Sequence, residues 1–160
     1  MAARHSAAAA FLALAASVTP ALAQALEVIA TSGEWRAYAH GIGAKRLCFA
    51  AATAGSGAFL YVTAWPNDGV RAEISVRTAA ASKKGAEAVA TIGREQFRLF
   101  TDGHHAWLGD GAAEARLVEA MKKGTRLSVQ VTTDKGPAAA EVYSLSGMSQ
   151  ALLAMGQACQ

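Results

Sequence analysis

The residues best suited to chemistry lie close together near one predicted hairpin. His104 and His105 are adjacent, with Asp102 and Asp110 nearby, and such side chains can bind a metal ion or transfer protons. Adjacent side chains on a strand point to opposite faces, however, so the two imidazoles cannot easily share one ion. We therefore interpret them as polar residues of a hairpin and predict no metal site.

Two further segments match catalytic or phosphate-binding motifs only in part. Ser56 lacks the glycine two positions earlier that a nucleophile elbow requires. Segment 41–45 contains glycines and a lysine, but it lacks P-loop spacing and no Ser or Thr follows the lysine. The acidic residues are isolated, so no general acid and base stand out as a pair. We predict that both segments are turns, that no cofactor is bound and that the protein is not an enzyme.

Aromatic residues are the remaining candidates for a binding surface. Trp65 precedes the turn at 66–69, and this position at a loop tip makes it the leading predicted contact residue. Other aromatic residues lie on predicted strands, where such side chains usually belong to the core. The residues expected to point inward are Trp35, Phe59, Tyr61, Phe97, Phe100 and Trp107.

The elements that must position these residues are mostly strands. In Val70–Arg77 every second residue is apolar, as a half-buried antiparallel strand requires, and Leu127 to Val131 alternate in the same manner. Short turns such as Asp102-Gly103 indicate consecutive hairpins and hence an antiparallel sheet. Further strands are predicted at 34–39, 46–51, 59–65, 87–92, 96–100, 105–108 and 139–145.

Two segments have helical periodicity instead. Residues 112–123 place apolar side chains on one stripe, and Asp110 is available as the N-cap. Ser146 is predicted to cap a second helix over about 147–156. Nine short strands and two helices predict a mainly β fold, namely a single-domain antiparallel β-sandwich or flattened barrel with two short helices.

Composition excludes several classes of protein. Hydrophobic residues make up 52% and charged residues 17% of the 160 residues, which excludes a disordered chain and allows a packed core. The net charge is +3, and the basic side chains are scattered in pairs such as Lys83-Lys84. We therefore predict no nucleic-acid partner.

Residues 1–23 are typical of a secretory signal peptide. Arg4 precedes an apolar stretch at 7–18, and Pro20 and the triplet Ala21-Leu22-Ala23 follow. The stretch is too short to cross a bilayer and no later one exceeds it, so no transmembrane segment is expected after cleavage. Residues 24–160 would form the mature domain, with 25–32 as a short leader into the fold. We expect the protein in the periplasm, at the outer membrane or outside the cell.

The two cysteines, Cys48 and Cys159, are 111 positions apart. There is no C-x-x-C pair and no Cys/His cluster at ligand spacing, so a redox site or a metal site fits poorly. In the oxidising compartment of an exported protein we predict a structural disulfide between them. Closing a loop of this length stabilises a fold by roughly 4 to 5 kcal/mol in the chain-entropy model.

A series of short blocks runs along nearly the whole mature chain. The blocks are Gly33-Glu34-Trp35, Cys48-Phe49-Ala50, Phe59-Leu60-Tyr61-Val62-Thr63, Phe97-Arg98-Leu99-Phe100, Ala106-Trp107-Leu108, Glu119-Ala120-Met121-Lys122-Lys123-Gly124, Tyr143-Ser144-Leu145-Ser146-Gly147 and the final Cys159. In this order they resemble the invasion-associated locus B family of exported proteins. The chain departs from the family pattern at 133–137 and at Met148, so no role is transferred to the 133–137 loop.

The resemblance implies an alphaproteobacterial envelope or secreted protein, associated in some members with entry into host cells, and it supplies no catalytic mechanism. We therefore expect a non-catalytic protein that acts by surface recognition, with an envelope or host-cell surface protein as its partner. Two other classes stay open: a structural or stress-protective periplasmic protein, and an unrecognised hydrolase or metal enzyme. The sequence assigns no oligomeric state.

Overall fold

A computed structural model describes residues 26–138 and 140–160 of the chain, and these form twelve β-strands and two α-helices. The strands are β1 (Glu27–Ser32), β2 (Trp35–His40), β3 (Leu47–Thr53), β4 (Phe59–Trp65), β5 (Val70–Arg77), β6 (Ala88–Ile92), β7 (Glu95–Asp102), β8 (His105–Trp107), β9 (Arg126–Gln130), β10 (Thr132–Thr133), β11 (Gly136–Pro137) and β12 (Glu141–Ser144). The helices are α1 (Gly111–Lys123) and α2 (Met148–Ala158). The predicted signal peptide and its cleavage site lie outside the described residues.

Ten strands form one antiparallel sheet in the order β1-β2-β3-β4-β5-β8-β7-β6-β9-β12, and β10 pairs with β11 in a separate hairpin. Short turns join most sequential neighbours, as the turn residues predict. The predicted fold class is confirmed: the protein is mainly β and antiparallel, with two short helices, and the sheet is not closed into a barrel.

The sheet folds over on itself like a β-sandwich, so that strands near its two edges, β2 and β12, come into contact. Trp35 Nε1 donates to the carbonyl oxygen of Ser144 at 2.9 Å, which joins β2 to β12. Gly33 and Gly147 have positive φ angles of 55° and 89°, and a Cβ atom on either would overlap backbone oxygen of the opposite segment. We term this contact, between residues 33–35 and 144–147, the clasp. It holds the two halves of the sheet around one core.

The core lies between the inner face of the sheet and the two helices. On β2 and β3 most inner residues are small, since Ala37, Ala39, Ala50 and Ala52 are all buried there, and the larger Trp35 lies at the clasp. Helix α2 packs across β1, β2 and β3, and small inner side chains let it approach the sheet closely. On β4, which lies farther from α2, the buried side chains include larger ones such as Leu60.

Of the two N-caps predicted from the sequence, one is confirmed and one is wrong. The Asp110 carboxylate accepts a hydrogen bond from the amide of Ala113 at 2.8 Å, as predicted for the N-cap of α1. The predicted Ser146 cap of α2 is wrong. The N-cap is Gly147, whose left-handed conformation turns the chain into the helix without a side-chain hydrogen bond.

The C-terminal end of α2 is linked to the β3 region by a disulfide and a hydrogen bond. Cys48 and Cys159 form the predicted disulfide, with their Cα atoms 6.0 Å apart. Beside it, Arg46 Nε donates to the carbonyl oxygen of Ala158 at 2.8 Å and so satisfies the end of the helix. Disulfides persist in oxidising compartments, so this bond indicates a protein from outside the cytoplasm. No helix in the described part of the chain is long and apolar enough to cross a membrane.

Most predicted strands are present, and β4 and β5 have the predicted bounds. The prediction that residues 25–32 form only a leader is wrong, because Glu27–Ser32 is the edge strand β1 and pairs with β2. The pairing shifts at a bulge between Val28 and Ala30, and all six β1 residues are exposed or half-buried. A bulged edge strand lacks regular alternation, so the sequence pattern did not reveal it.

Candidate functional site

The histidine pair lies at the hairpin between β7 and β8, with Ser56 across the same surface pocket of about 440 Å³. His104 Nδ1 lies 3.0 Å from the carbonyl oxygen of Thr78. Because a carbonyl oxygen only accepts hydrogen bonds, Nδ1 is the donor in this contact. His105 is exposed on β8, opposite Arg77 of β5. The structure therefore brings together residues that the sequence suggested separately, but among the described residues no hydrogen bond joins Ser56 to a histidine.

Metal binding finds no support at this pocket or elsewhere in the described residues. Nowhere within 26–138 and 140–160 do three His, Cys, Asp or Glu side chains gather in a way that could hold an ion. Both cysteines are used in the disulfide, so neither offers a thiolate ligand or nucleophile.

A buried pair of titratable groups lies on β12 and is closed to ligands. Glu141 accepts hydrogen bonds from the amide of Ala79 at 2.6 Å and from the hydroxyl of Tyr143 at 3.2 Å. Burial, reinforced by the neighbouring Glu141, raises the pKa of Tyr143 far above its ordinary value. The pair therefore fastens the loop that follows β5 to the last strand, which is a structural role.

Trp65 is the last residue of β4 and precedes the turn to β5, and it is 36% exposed. It lines a pocket of about 260 Å³ together with Lys45 and Arg46 of the loop between β2 and β3. The Asn67 side chain donates to the carbonyl oxygen of Ala44 and joins the two loops. The role of Trp65 as a contact residue stays a prediction.

An open groove of about 530 Å³ lies beside the same turn, between α2 and the start of β5. Leu152, Leu153 and Val70 form part of an apolar wall, and Arg71 contributes a charge. The groove and Trp65 together form one candidate contact surface around the turn between β4 and β5.

The outer face of β2, β3 and β4 carries four aromatic side chains that touch one another in a row. Tyr38 and Phe49 lie opposite each other and stack with ring centroids 4.8 Å apart. Phe49 meets Tyr61 edge to face at 6.0 Å, and Tyr61 stacks on Phe59 at 6.0 Å. All four rings are half-buried. We term these four residues the aromatic row.

The prediction that six strand aromatics point inward is correct for two of them and wrong for the rest. Trp35 and Phe97 are buried. The other four lie on the outer face: Phe59 and Tyr61 are half-buried, Trp107 is 38% exposed and Phe100 is 55% exposed.

A signal for the aromatic row was present in the sequence. In Ala37-Tyr38-Ala39 and Cys48-Phe49-Ala50 both phases of the alternation are apolar, so hydropathy alone does not choose the inner face. The smaller side chains face inward because α2 packs closely on that side. Once a covering helix is expected, side-chain volume would have placed Tyr38 and Phe49 outside.

Two guanidinium groups flank the aromatic row. Arg36 lies opposite Ala51, and Arg77 lies opposite Phe59. Neither arginine forms a salt bridge with another described residue. Burial raises the pKa of the Tyr61 hydroxyl, and Arg77 offsets only part of the rise, so this group is a neutral hydrogen-bond donor at physiological pH.

A notch of about 260 Å³ opens beside the aromatic row, where Ala51 presents only a methyl group between larger neighbours. Tyr38 and Phe59, from the two ends of the row, both line it. Its polar lining consists of Thr31, Glu34, Arg36 and Thr53. The notch thus combines aromatic walls with hydrogen-bonding groups of both charge signs.

Comparisons with known proteins identify no family, since no family model, no curated protein and no solved structure matches the chain. Several blocks that resemble the invasion-associated locus B family lie in the clasp or the disulfide. Gly124, which ends another block, leaves no room for a Cβ atom beside Ile92 and Leu145. These residues therefore maintain the fold. Other block residues, namely Phe49, Phe59 and Tyr61, belong to the aromatic row.

Proposed function

We propose that the protein is an exported, non-catalytic component of the cell envelope or the secreted fraction, and that it acts by surface recognition. The observation that carries the proposal is the aromatic row on the outer face of the sheet. The predicted signal peptide and the disulfide support export. The resemblance to the invasion-associated locus B family favours an envelope or host-cell surface protein as the partner.

The aromatic row suits recognition because of what surrounds it. Both helices pack on the inner side of the sheet, so no described element covers the rings. Aromatic and arginine side chains are enriched at protein interfaces, and here Arg36 and Arg77 flank the rings. The rings already support one another on rigid strands, so little conformational entropy is lost when a partner binds.

Complementation of a deletion strain, combined with crosslinked partner capture, tests the proposal. The double variant Tyr38→Ser/Phe59→Ser should reduce capture at least tenfold, because loss of even one aromatic hot-spot side chain costs about 2 kcal/mol. Trp65→Ala tests the second surface and should also weaken capture. A melting curve for each variant separates lost recognition from lost folding.

The histidine pocket provides the test of the enzymatic alternative. His104→Ala/His105→Ala should fold and complement like the wild-type protein. If this variant folds normally yet loses all activity, while the aromatic variants behave as wild type, the recognition model is wrong and a hydrolase or metal site at the pocket replaces it. If all these variants complement fully, a structural or stress-protective role is favoured.

A further inference from the structure

We infer that the notch beside the aromatic row binds one ring of a neutral saccharide. The inference rests on the proposed function, because it names the chemical group that the same outer face would recognise on its partner. Four features of the notch carry it: its aromatic walls, its hydrogen-bonding groups, its balance of charge and its floor.

The walls provide apolar contact of the right kind. Tyr38 and Phe59 line the notch from two different strands, and each is held by a stacked neighbour. A pyranose ring has C–H groups that pack against aromatic rings, whereas its hydroxyl groups point outward around the edge. Rings fixed in this way provide contact area with little loss of side-chain entropy.

The hydrogen-bonding groups match a pair of neighbouring hydroxyls. Glu34 and Arg36 both line the notch, yet within the described residues they form no salt bridge with each other. One sugar hydroxyl can donate to the Glu34 carboxylate while its neighbour accepts from the Arg36 guanidinium. The hydroxyls of Thr31 and Thr53 can both donate and accept at the edges.

The balance of charge favours neither an anion nor a cation. An anion attracted by Arg36 would be repelled by Glu34, and a cation attracted by Glu34 would be repelled by Arg36. An apolar side chain of a peptide would remove water from both charged groups without replacing their hydrogen bonds, which is unfavourable. A neutral polyol satisfies both groups.

The floor of the notch depends on one small residue. Ala51 lies opposite Arg36 on one side and opposite Tyr61 on the other, and its short side chain leaves the space open. Ala51→Leu would therefore fill the notch without removing any polar or aromatic group. Ser75→Leu is the matched control, since Ser75 lies opposite Tyr61 on the outer face but does not line the notch.

The experiment is calorimetric titration of the oxidised mature protein with three neutral β-1,4-linked tetrasaccharides, built from glucose, galactose or N-acetylglucosamine. Tetragalacturonate provides the anionic counterpart. We expect at least one neutral probe to bind more tightly than tetragalacturonate. Ala51→Leu should weaken that binding at least tenfold, and Ser75→Leu should leave it within twofold of wild type.

Three results would overturn the inference: no neutral probe binds, the anionic probe binds more tightly than every neutral one, or Ala51→Leu binds like the wild type. In each case the proposed function is judged separately by partner capture. If capture still depends on Tyr38 and Phe59, surface recognition stands and its ligand is not a saccharide. If capture is independent of them, the proposed function itself fails at this face.

Discussion

Strands β2, β3 and β4 have two apolar faces with opposite structural roles. The inner face carries Ala37, Ala39 and Ala50, all buried beneath or beside α2. The outer face carries the aromatic row, which no described element covers. Along Ala37–Ala39 and Cys48–Ala50 the volume of the side chains therefore distinguishes the two faces, whereas their hydropathy does not. The large inward residue Trp35 lies at the clasp. A narrow space between sheet and helix selects small residues, and an uncovered face can hold large ones.

The two faces also differ in the interactions that stabilise them. The inner side is held by the clasp and by the disulfide, which join segments far apart in the chain. The rings on the outer side are held only by neighbours on adjacent strands. Changes to the inner side should therefore reduce stability, and changes to the outer face should mainly alter binding.

The largest expected effect is removal of the disulfide. Cys48→Ser/Cys159→Ser should lower the free energy of unfolding by about 4 kcal/mol, because the bond closes a loop of 111 positions. Chemical denaturation of the oxidised protein and the variant measures the difference. A loss below about 1 kcal/mol would show that α2 is kept in place without the disulfide, by the clasp, the Arg46 hydrogen bond and packing on the sheet.

A matched pair of substitutions compares the two faces directly. Ala50→Leu adds volume to the filled inner face and should cost about 3 kcal/mol, whereas Ala51→Leu adds the same volume outside and should cost less than about 0.5 kcal/mol. Urea denaturation of both variants provides the test. Equal losses would contradict the assignment of the faces.

A second matched pair concerns tryptophans. Trp35→Phe removes a buried indole and its hydrogen bond to Ser144, and should cost about 2 kcal/mol. Trp107→Phe, on the outer face, should cost less than about 0.5 kcal/mol because its side chain is already partly in water. Melting curves compare the two, and the order of the losses should not reverse.

The smallest expected effect is electrostatic and lies at the start of α1, outside both faces. Burial raises the pKa of Glu114 above its usual 4.5, although the Ile74 amide, which donates to it at 3.3 Å, offsets part of the rise. Its contribution to stability is therefore fully present below pH 4.5 and is lost as the pH rises through the folded-state pKa. The melting temperature of wild type relative to Glu114→Gln should fall between pH 4 and pH 7.

Glu119→Gln is the control with the opposite sign. The hydrogen bond from Lys122 lowers the pKa of Glu119, so its contribution is present above its usual 4.5 and is lost as the pH falls through the folded-state pKa. Wild type relative to Glu119→Gln should therefore gain slightly between pH 4 and pH 7. The same sign of change for both variants would contradict the assigned shifts.

The amino-acid sequence by itself determined the elements whose signals are local. Alternation in Val70–Arg77, the Asp110 cap and the turn at Asp102-Gly103 each depend on neighbouring residues, so the strand, the helix and the hairpin were predictable. The fold class followed from the number and spacing of these elements. The pairing of Cys48 with Cys159 was also predictable, because these are the two cysteines of the chain.

The tertiary structure decided which face of each strand is covered and which distant residues meet. Tyr38 points outward because α2 lies on the other side of β2, a fact that no residue near Tyr38 specifies. The notch combines Glu34 and Arg36 with Thr53 and Phe59, which come together only when β2, β3 and β4 pair in register. Local patterns cannot determine such contacts, because they depend on the packing of segments separated in the chain.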